Sequence, residues 1–174
     1  MAGVEKVKVV LDSDVIIHFI KGGCLNLLPQ ILPTYSFIIL DIVYDRELAA
    51  SHRIILQNIV THLNTISIVH WEPGREERQE FIRLQKQFGL GESAAMAYCN
   101  NHNDVLASSN LKDIVDYCDT NSITYFTTMD FLYQAMFNNI MSEQECDEFI
   151  ASVVAQDSKL PVTKMSDYKP RFTL

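Results

Sequence analysis

A short aliphatic run that stops at a carboxylate is the feature that most narrows what this chain can fold into. Val7-Lys8-Val9-Val10-Leu11 is followed at once by the polar triplet Asp12-Ser13-Asp14. Such a run reads as a short buried strand, with Ser13 or Asp14 capping the helix after it. A buried strand that ends in Asp12 sets that acid at the carboxyl edge of a sheet. In open α/β sheets ligands bind at this edge, because strand ends and helix N-termini converge there. The plainer reading makes Asp12 or Asp14 only a helix cap. Acids that recur at similar junctions further along favour the first.

The second strand candidate, Ser36-Phe37-Ile38-Ile39-Leu40, again ends in a carboxylate, Asp41. Gly22-Gly23 and Pro33 punctuate the helical segments between the two. Ile42 to Leu48 opens a helix in which Val43, Glu47 and Ala50 share a face, so Glu47 projects one turn in from the sheet mouth; alternatively it is a solvated helix residue. Ile55, Ile59 and Leu63 recur every four residues and predict a helix packed on the sheet. Thr65 to Val69 reads as a third strand. Residues 75–88 are strongly charged around a narrow Phe81, Leu84, Phe88 stripe, the usual pattern of a solvated helix face. Arg75, Arg78, Arg83 and Lys86 also make it the densest basic group of the chain, and the first candidate for docking a nucleic acid or an acidic partner.

Gly89-Leu90-Gly91-Glu92-Ser93-Ala94-Ala95-Met96-Ala97 leads into a helix of small residues that must pack closely on the sheet. Glu92 in its first turn is favoured by the helix dipole, yet so apolar a helix needs no acid to hold it. Val105-Leu106-Ala107 followed by Ser108-Ser109-Asn110 reads as a fourth strand with a polar end, and Ser122 to Phe126 as a fifth. Thr127 or Thr128 caps a helix through Phe137, and Ser142-Glu143-Gln144-Glu145 carries the capping-box pattern of a last one. Residues 1–156 are expected to form one domain, and 157–174, with its prolines and no periodicity, an extended tail.

Composition closes other routes. The 174 residues, 48% hydrophobic, suffice for one core. No apolar run approaches the roughly 20 residues that span a bilayer, so a cytoplasmic protein with no membrane partner is expected. Cys24, Cys99, Cys118 and Cys146 lack metal-ligand spacing and argue against zinc. The net charge of −8 opposes non-specific nucleic-acid binding across the whole surface. It leaves room for a nuclease whose carboxylates are neutralised by divalent cations.

Strands that alternate with helices predict a parallel sheet with helices on both faces. Parallel topology carries Asp12 with Asp14, Glu47, Glu92, and Ser109 with Asn110 to one edge. Carboxylates gathered there repel unless protonated or bridged, and an all-oxygen ligand set selects Mg²⁺ or Mn²⁺. A cation so held activates water and stabilises charge on a phosphodiester.

Taken in order, the Asp12, Glu47 and Glu92 segments and Val105 to Asn110, with Thr127-Thr128-Met129-Asp130-Phe131-Leu132 after the fifth strand, resemble the PIN-domain family. They are most similar to the small prokaryotic PIN proteins related to toxin ribonucleases. The resemblance spans roughly residues 6 to 150. It implies a three-layer α/β fold around a parallel sheet of about five strands. It also implies an endoribonuclease that cuts single-stranded RNA with Mg²⁺ or Mn²⁺. Asp12 matches the family's first acid, a metal ligand; Glu47 matches the second; Glu92 matches the third, also a ligand. Asn110 stands where the family usually has Asp; its amide oxygen can still coordinate a hard cation or hold a ligating water but brings no charge, and Asp14 is a candidate metal ligand that restores some of it. Ser13, Ser109, Arg75 and Arg78 are the substrate-binding candidates. An antitoxin-like protein partner and a homodimer are implied by the resemblance alone. The missing charge keeps open a catalytically eroded PIN domain serving as an RNA or protein interaction module. Asp12-Ser13-Asp14 also fits the start of a haloacid-dehalogenase-like phosphatase, but the downstream Lys and acidic motif of that class are not found.

Overall fold

The computed structural model describes residues 6–171; the outermost residues of the expected domain and tail, 1–5 and 172–174, lie outside it. Five strands, β1 (Lys8–Leu11), β2 (Ser36–Leu40), β3 (Ile66–Val69), β4 (Val105–Ala107) and β5 (Tyr125–Phe126), form one sheet in the order β3-β2-β1-β4-β5. Every pairing is parallel. The central β1 pairs Val9 with Phe37 on one side and with Val105 on the other, and its Val9, Val10 and Leu11 are fully buried. A strand covered on both faces accepts an unbroken aliphatic run, which is why this one carries no alternation.

The helices are α1 (Ser13–Lys21), α2 (Leu28–Ile31), α3 (Asp41–Arg46), α4 (Ala50–Asn58), α5 (Arg75–Leu84), α6 (Leu90–His102), α7 (Leu111–Asn121), α8 (Thr128–Phe137) and α9 (Glu143–Ala155). The arrangement is a three-layer α/β fold. Helix α6 lies against β1, β2 and β4 and packs with α5 and α7, whereas α1 packs with α8 and α9. The residues from Gly91 to Cys99 are all buried, as the run of small side chains requires of a helix laid so close to the sheet. No helix among the described residues is long and apolar enough to cross a membrane.

Two sequence expectations change. Ile55 and Leu63 do not pack on the sheet: they are 42% and 51% exposed, and Leu56 and Ile59 are the buried residues. A four-residue step drifts by about 40° per turn on a helix of 3.6 residues per turn, so the buried face passes from Ile55 to its neighbour Leu56. The segment also changes to a π-type turn over Ile59–Leu63, closed by Asn64 in the left-handed region. Nor does a single helix carry Val43, Glu47 and Ala50. Helix α3 ends at Arg46, Glu47 is its C-cap, and Ala50 begins α4.

The segment after Gln156 is irregular, as expected of a tail, but it lies on the domain. Met165 opens a 3₁₀ turn and is 3% exposed, with its N–H donated to Asp147 Oδ1 at 2.7 Å. Tyr168 and Arg171 both reach Asp130.

Candidate functional site

Four separate stretches converge at the carboxyl edge of the sheet. Asp12 leaves β1 and caps α1 by accepting the Ser13 N–H at 2.8 Å, so the helix-cap reading is correct as far as it goes. Asp12 N–H donates to Ala107 O at 2.9 Å, which ties the end of β1 to the end of β4. One residue on, Ser13 Oγ donates to Glu47 Oε2 at 2.9 Å, and Glu47 Oε1 accepts the Gly91 N–H at 2.6 Å. The next residue, Glu92, accepts from Asn110 Nδ2 at 3.0 Å. The Ser109 N–H returns to Asp14 Oδ2 at 2.7 Å, and Asp14 Oδ1 takes the Val15 N–H at 2.6 Å. The result is a closed ring of hydrogen bonds through Glu47, Ser13, Asp14, Ser109, Asn110, Glu92 and Gly91.

Glycine is required at one point of this ring. A Cβ at Gly91 would fall inside the van der Waals surface of the Glu47 carboxyl group. The bare backbone lets the first turn of α6 close on Glu47 and present an N–H to it, with the positive end of the helix dipole behind.

The ring is short of positive charge. None of the ion pairs found among the described residues involves Asp12, Asp14, Glu47, Glu92 or Asp113. Burial pushes the Asp12 carboxyl well up, and the charges of Asp14, Glu47 and Glu92 add to it. Asp14 is raised by burial as well, against the donors from Ser109, Val15, Ser108 and Asn110. Burial, with Asp113 and Asp14 nearby, raises Glu92 to about 7. Carboxylates this perturbed have lost water without gaining a cation, a pattern concentrated at functional sites.

The donor set is all oxygen and fits a hard divalent cation. Among the described residues, however, no three His, Cys, Asp or Glu side chains are already grouped so as to hold a metal ion. The hydrogen bonds explain why. Glu47 is held by Ser13 and Gly91, Asp14 by the N–H groups of Val15 and Ser109, and Glu92 by Asn110.

Asn110 meets the neighbouring acids through its amide nitrogen. Its Nδ2 donates both to Glu92 and, at 2.8 Å, to Asp113 Oδ2, so the amide bridges two acids as a donor. Asp113 is the carboxylate that sequence reasoning passed over. It lies three residues after Asn110 on the first turn of α7, a spacing that places two side chains side by side. Also unforeseen is the polar chain beneath the ring. Ser109 Oγ donates to Thr128 Oγ1 at 2.9 Å, and Thr128 Oγ1 lies 2.9 Å from His18 Nδ1. Burial lowers His18 to about 4, so this imidazole is neutral at neutral pH.

Arg75 and Arg78 are not brought to the ring. They sit in the first turn of α5, next to Glu77, which faces His102 at the far end of α6 from Glu92. Ten residues of helix separate those two ends by about 15 Å. The end of α5 that does approach the site carries Arg83. With Phe88, Lys112, Asp113 and Tyr117 it lines a cleft of about 450 Å³ between α5 and α7.

Compared with known proteins, the chain matches no family model, no curated protein and no solved structure.

Proposed function

We propose that this chain is a metal-dependent endoribonuclease of PIN type acting on single-stranded RNA, with Asp12 as the central acid of its site. The observation that carries the reading is Asp12 itself. It is 4% exposed, caps a helix with one backbone bond, and feels the charges of three further carboxylates, none of which enters an ion pair found among the described residues. Such a group does not stabilise the fold as a charge, since ionising it where no counter-charge meets it is costly. A site that takes up a cation does need one. Asp12, Glu47 and Glu92 would hold Mg²⁺ or Mn²⁺, with Asp113 supplying charge near Glu92. A bound ion of this kind lowers the pKa of a water and neutralises charge that builds on a phosphodiester. Ser13 and Gly91 keep Glu47 oriented, and Asp14 fixes the β4–α7 turn through the Ser109 N–H. The His18–Thr128–Ser109 chain supports that turn from below.

Isothermal calorimetry with Mn²⁺, followed by incubation with a fluorescent single-stranded RNA, tests the reading. Saturable Mn²⁺ binding and cleavage, both lost in Asp12→Asn, are expected. Absence of Mn²⁺ binding in the parent protein would overturn it.

One observation favours a second reading, an eroded PIN domain that binds RNA or protein without cutting. Asn110 Nδ2 already donates to both Glu92 and Asp113, so an amide takes up the carboxylate oxygens a cation would need. Retained RNA affinity with no Mn²⁺ binding and no cleavage would select it. A homodimer and an antitoxin-like partner rest only on the family resemblance, and sedimentation of the purified chain tests the first.

A further inference from the structure

Beside the acidic ring lies a second cavity, of about 410 Å³, between the C-terminal segment and the loops that end β4 and β5. Its size falls within the roughly 300–1,000 Å³ typical of small-molecule sites. Ser109 belongs to both: it lines this cavity while its N–H holds Asp14 in the ring. Leu111, Met129, Leu160, Pro161 and Tyr168 give the cavity apolar walls, and Leu111 is left 41% exposed by them. Lys159 and Arg171 stand at the same cavity.

The C-terminal segment is fastened on both sides of this space. Before it, Lys21 Nζ donates to Ser158 Oγ at 2.8 Å. After it, Met165 is buried, Tyr168 Oη donates to Asp130 Oδ1 at 2.7 Å, and Arg171 pairs with Asp130 Oδ2 at 2.5 Å. Arg171 also lies over the Tyr125 ring, 4.3 Å from its centroid. Between those anchors the chain arches over the mouth of β4 and β5 instead of collapsing onto Leu111. Lys159 enters none of the ion pairs found among the described residues.

We propose that this cavity, roofed by residues 158–171, is a nucleotide subsite for the RNA strand whose phosphodiester reaches the acidic ring. The proposal rests on the ribonuclease reading and adds where a neighbouring nucleotide of the strand is held. Flat apolar walls with an aromatic and a guanidinium suit an unstacked base, which single-strand binders hold by stacking and cation–π contact. Lys159 suits the adjoining phosphate and offsets the repulsion that a chain of net charge −8 exerts on it. The cleft between α5 and α7 and this cavity are lined by the adjacent Lys112 and Leu111 at the start of α7, so both meet at the end of the helix next to Asn110.

The test is methyl NMR on the full chain, titrated with uridine 5′-monophosphate and adenosine 5′-monophosphate, with Mn²⁺ calorimetry run separately. Saturable shifts of the Met129, Leu111 and Leu160 methyls are expected, and Lys159→Glu with Leu160→Ala should weaken nucleotide binding about tenfold. Neither substitution touches an anchor of the segment or a carboxylate of the ring, so Mn²⁺ affinity should not change. In cleavage assays the double variant should raise KM about tenfold and leave kcat unaltered. Methyls that ignore both nucleotides would overturn the subsite, whatever the Mn²⁺ result. Shifts that depend on protein concentration alone would overturn it in favour of contact between copies of the chain. Failure of Mn²⁺ binding with nucleotide shifts intact would instead strike the ribonuclease reading and leave the pocket standing as a nucleotide site.

Discussion

Asp12 and Asp130 are both 4% exposed carboxylates at the start of a helix that leaves the carboxyl edge of the sheet, and they are treated in opposite ways. Asp130 sits in a capping box and accepts the Thr127 N–H and hydroxyl, each at 2.8 Å. It also accepts the Tyr168 hydroxyl and pairs with Arg171. Asp12 accepts one backbone N–H and is surrounded by acids. A buried charge that serves the fold is given donors and a counter-charge; one that serves a ligand is left short of them.

Substitutions should separate the two. The largest effect is expected from Asp130→Ala, which strands the Arg171 guanidinium and the Tyr168 hydroxyl and removes the α8 cap; urea denaturation should show a loss of about 3–5 kcal/mol. Comparable in size but opposite in kind is Asp12→Asn. Mn²⁺-dependent RNA cleavage should fall about 1,000-fold, near 4 kcal/mol of transition-state stabilisation, while the unfolding midpoint without metal holds or rises. A large drop in that midpoint would break the contrast, because it would make Asp12 a structural acid too. Gly91→Ala is expected to cost about 1–3 kcal/mol by overpacking against Glu47, and to weaken Mn²⁺ binding by turning Glu47 away.

Asn110→Asp sharpens the same comparison from the other side. It removes the amide that holds Glu92 and Asp113 apart from a cation and adds a negative charge. Without metal the thermal midpoint should fall, and Mn²⁺ affinity should rise about tenfold, or about 1.4 kcal/mol. The same comparison has a pH form. Glu92, raised to about 7, binds its proton more tightly folded than unfolded, so metal-free stability should decline as pH rises from about 4.5 to about 7. Mn²⁺, which binds the ionised acids, should raise the thermal midpoint more at pH 8 than at pH 6. Glu92→Gln should make the metal-free profile less steep across that interval, with the slope that remains coming from Asp12 and Asp14.

The strand and helix plan was legible because burial forces it on the sequence. Val9, Val10 and Leu11 in a row have no polar face, so they demand cover on both sides. Helix α6 is likewise recognisable from its run of Gly, Ala and Ser. The capping boxes at Thr127 and Ser142 are short-range hydrogen-bond patterns and survive into the fold unchanged. Parallel topology then brings Asp12, Glu47, Glu92 and Asn110 to one edge, since every strand ends on the same side.

Other features are contacts between residues far apart in the chain, and no local pattern encodes them. Which face Asn110 turns to Glu92, the use of Asp14 to clamp Ser109, and the approach of Gly91 to Glu47 depend on how three turns are spaced in the folded state. The position of Arg75 and Arg78 away from the ring is of the same kind: charge density marks a helix but not which of its ends meets the sheet mouth. The C-terminal segment has no periodicity to read, yet Tyr168 and Arg171 find Asp130 across some 40 positions of sequence. By itself the sequence determined a parallel α/β sheet with acids at the strand ends, because hydrophobic period and capping act over a few residues. Only the tertiary structure decided which of those acids are given donors and a counter-charge and which are left short of them, because charge is balanced through space and not along the chain.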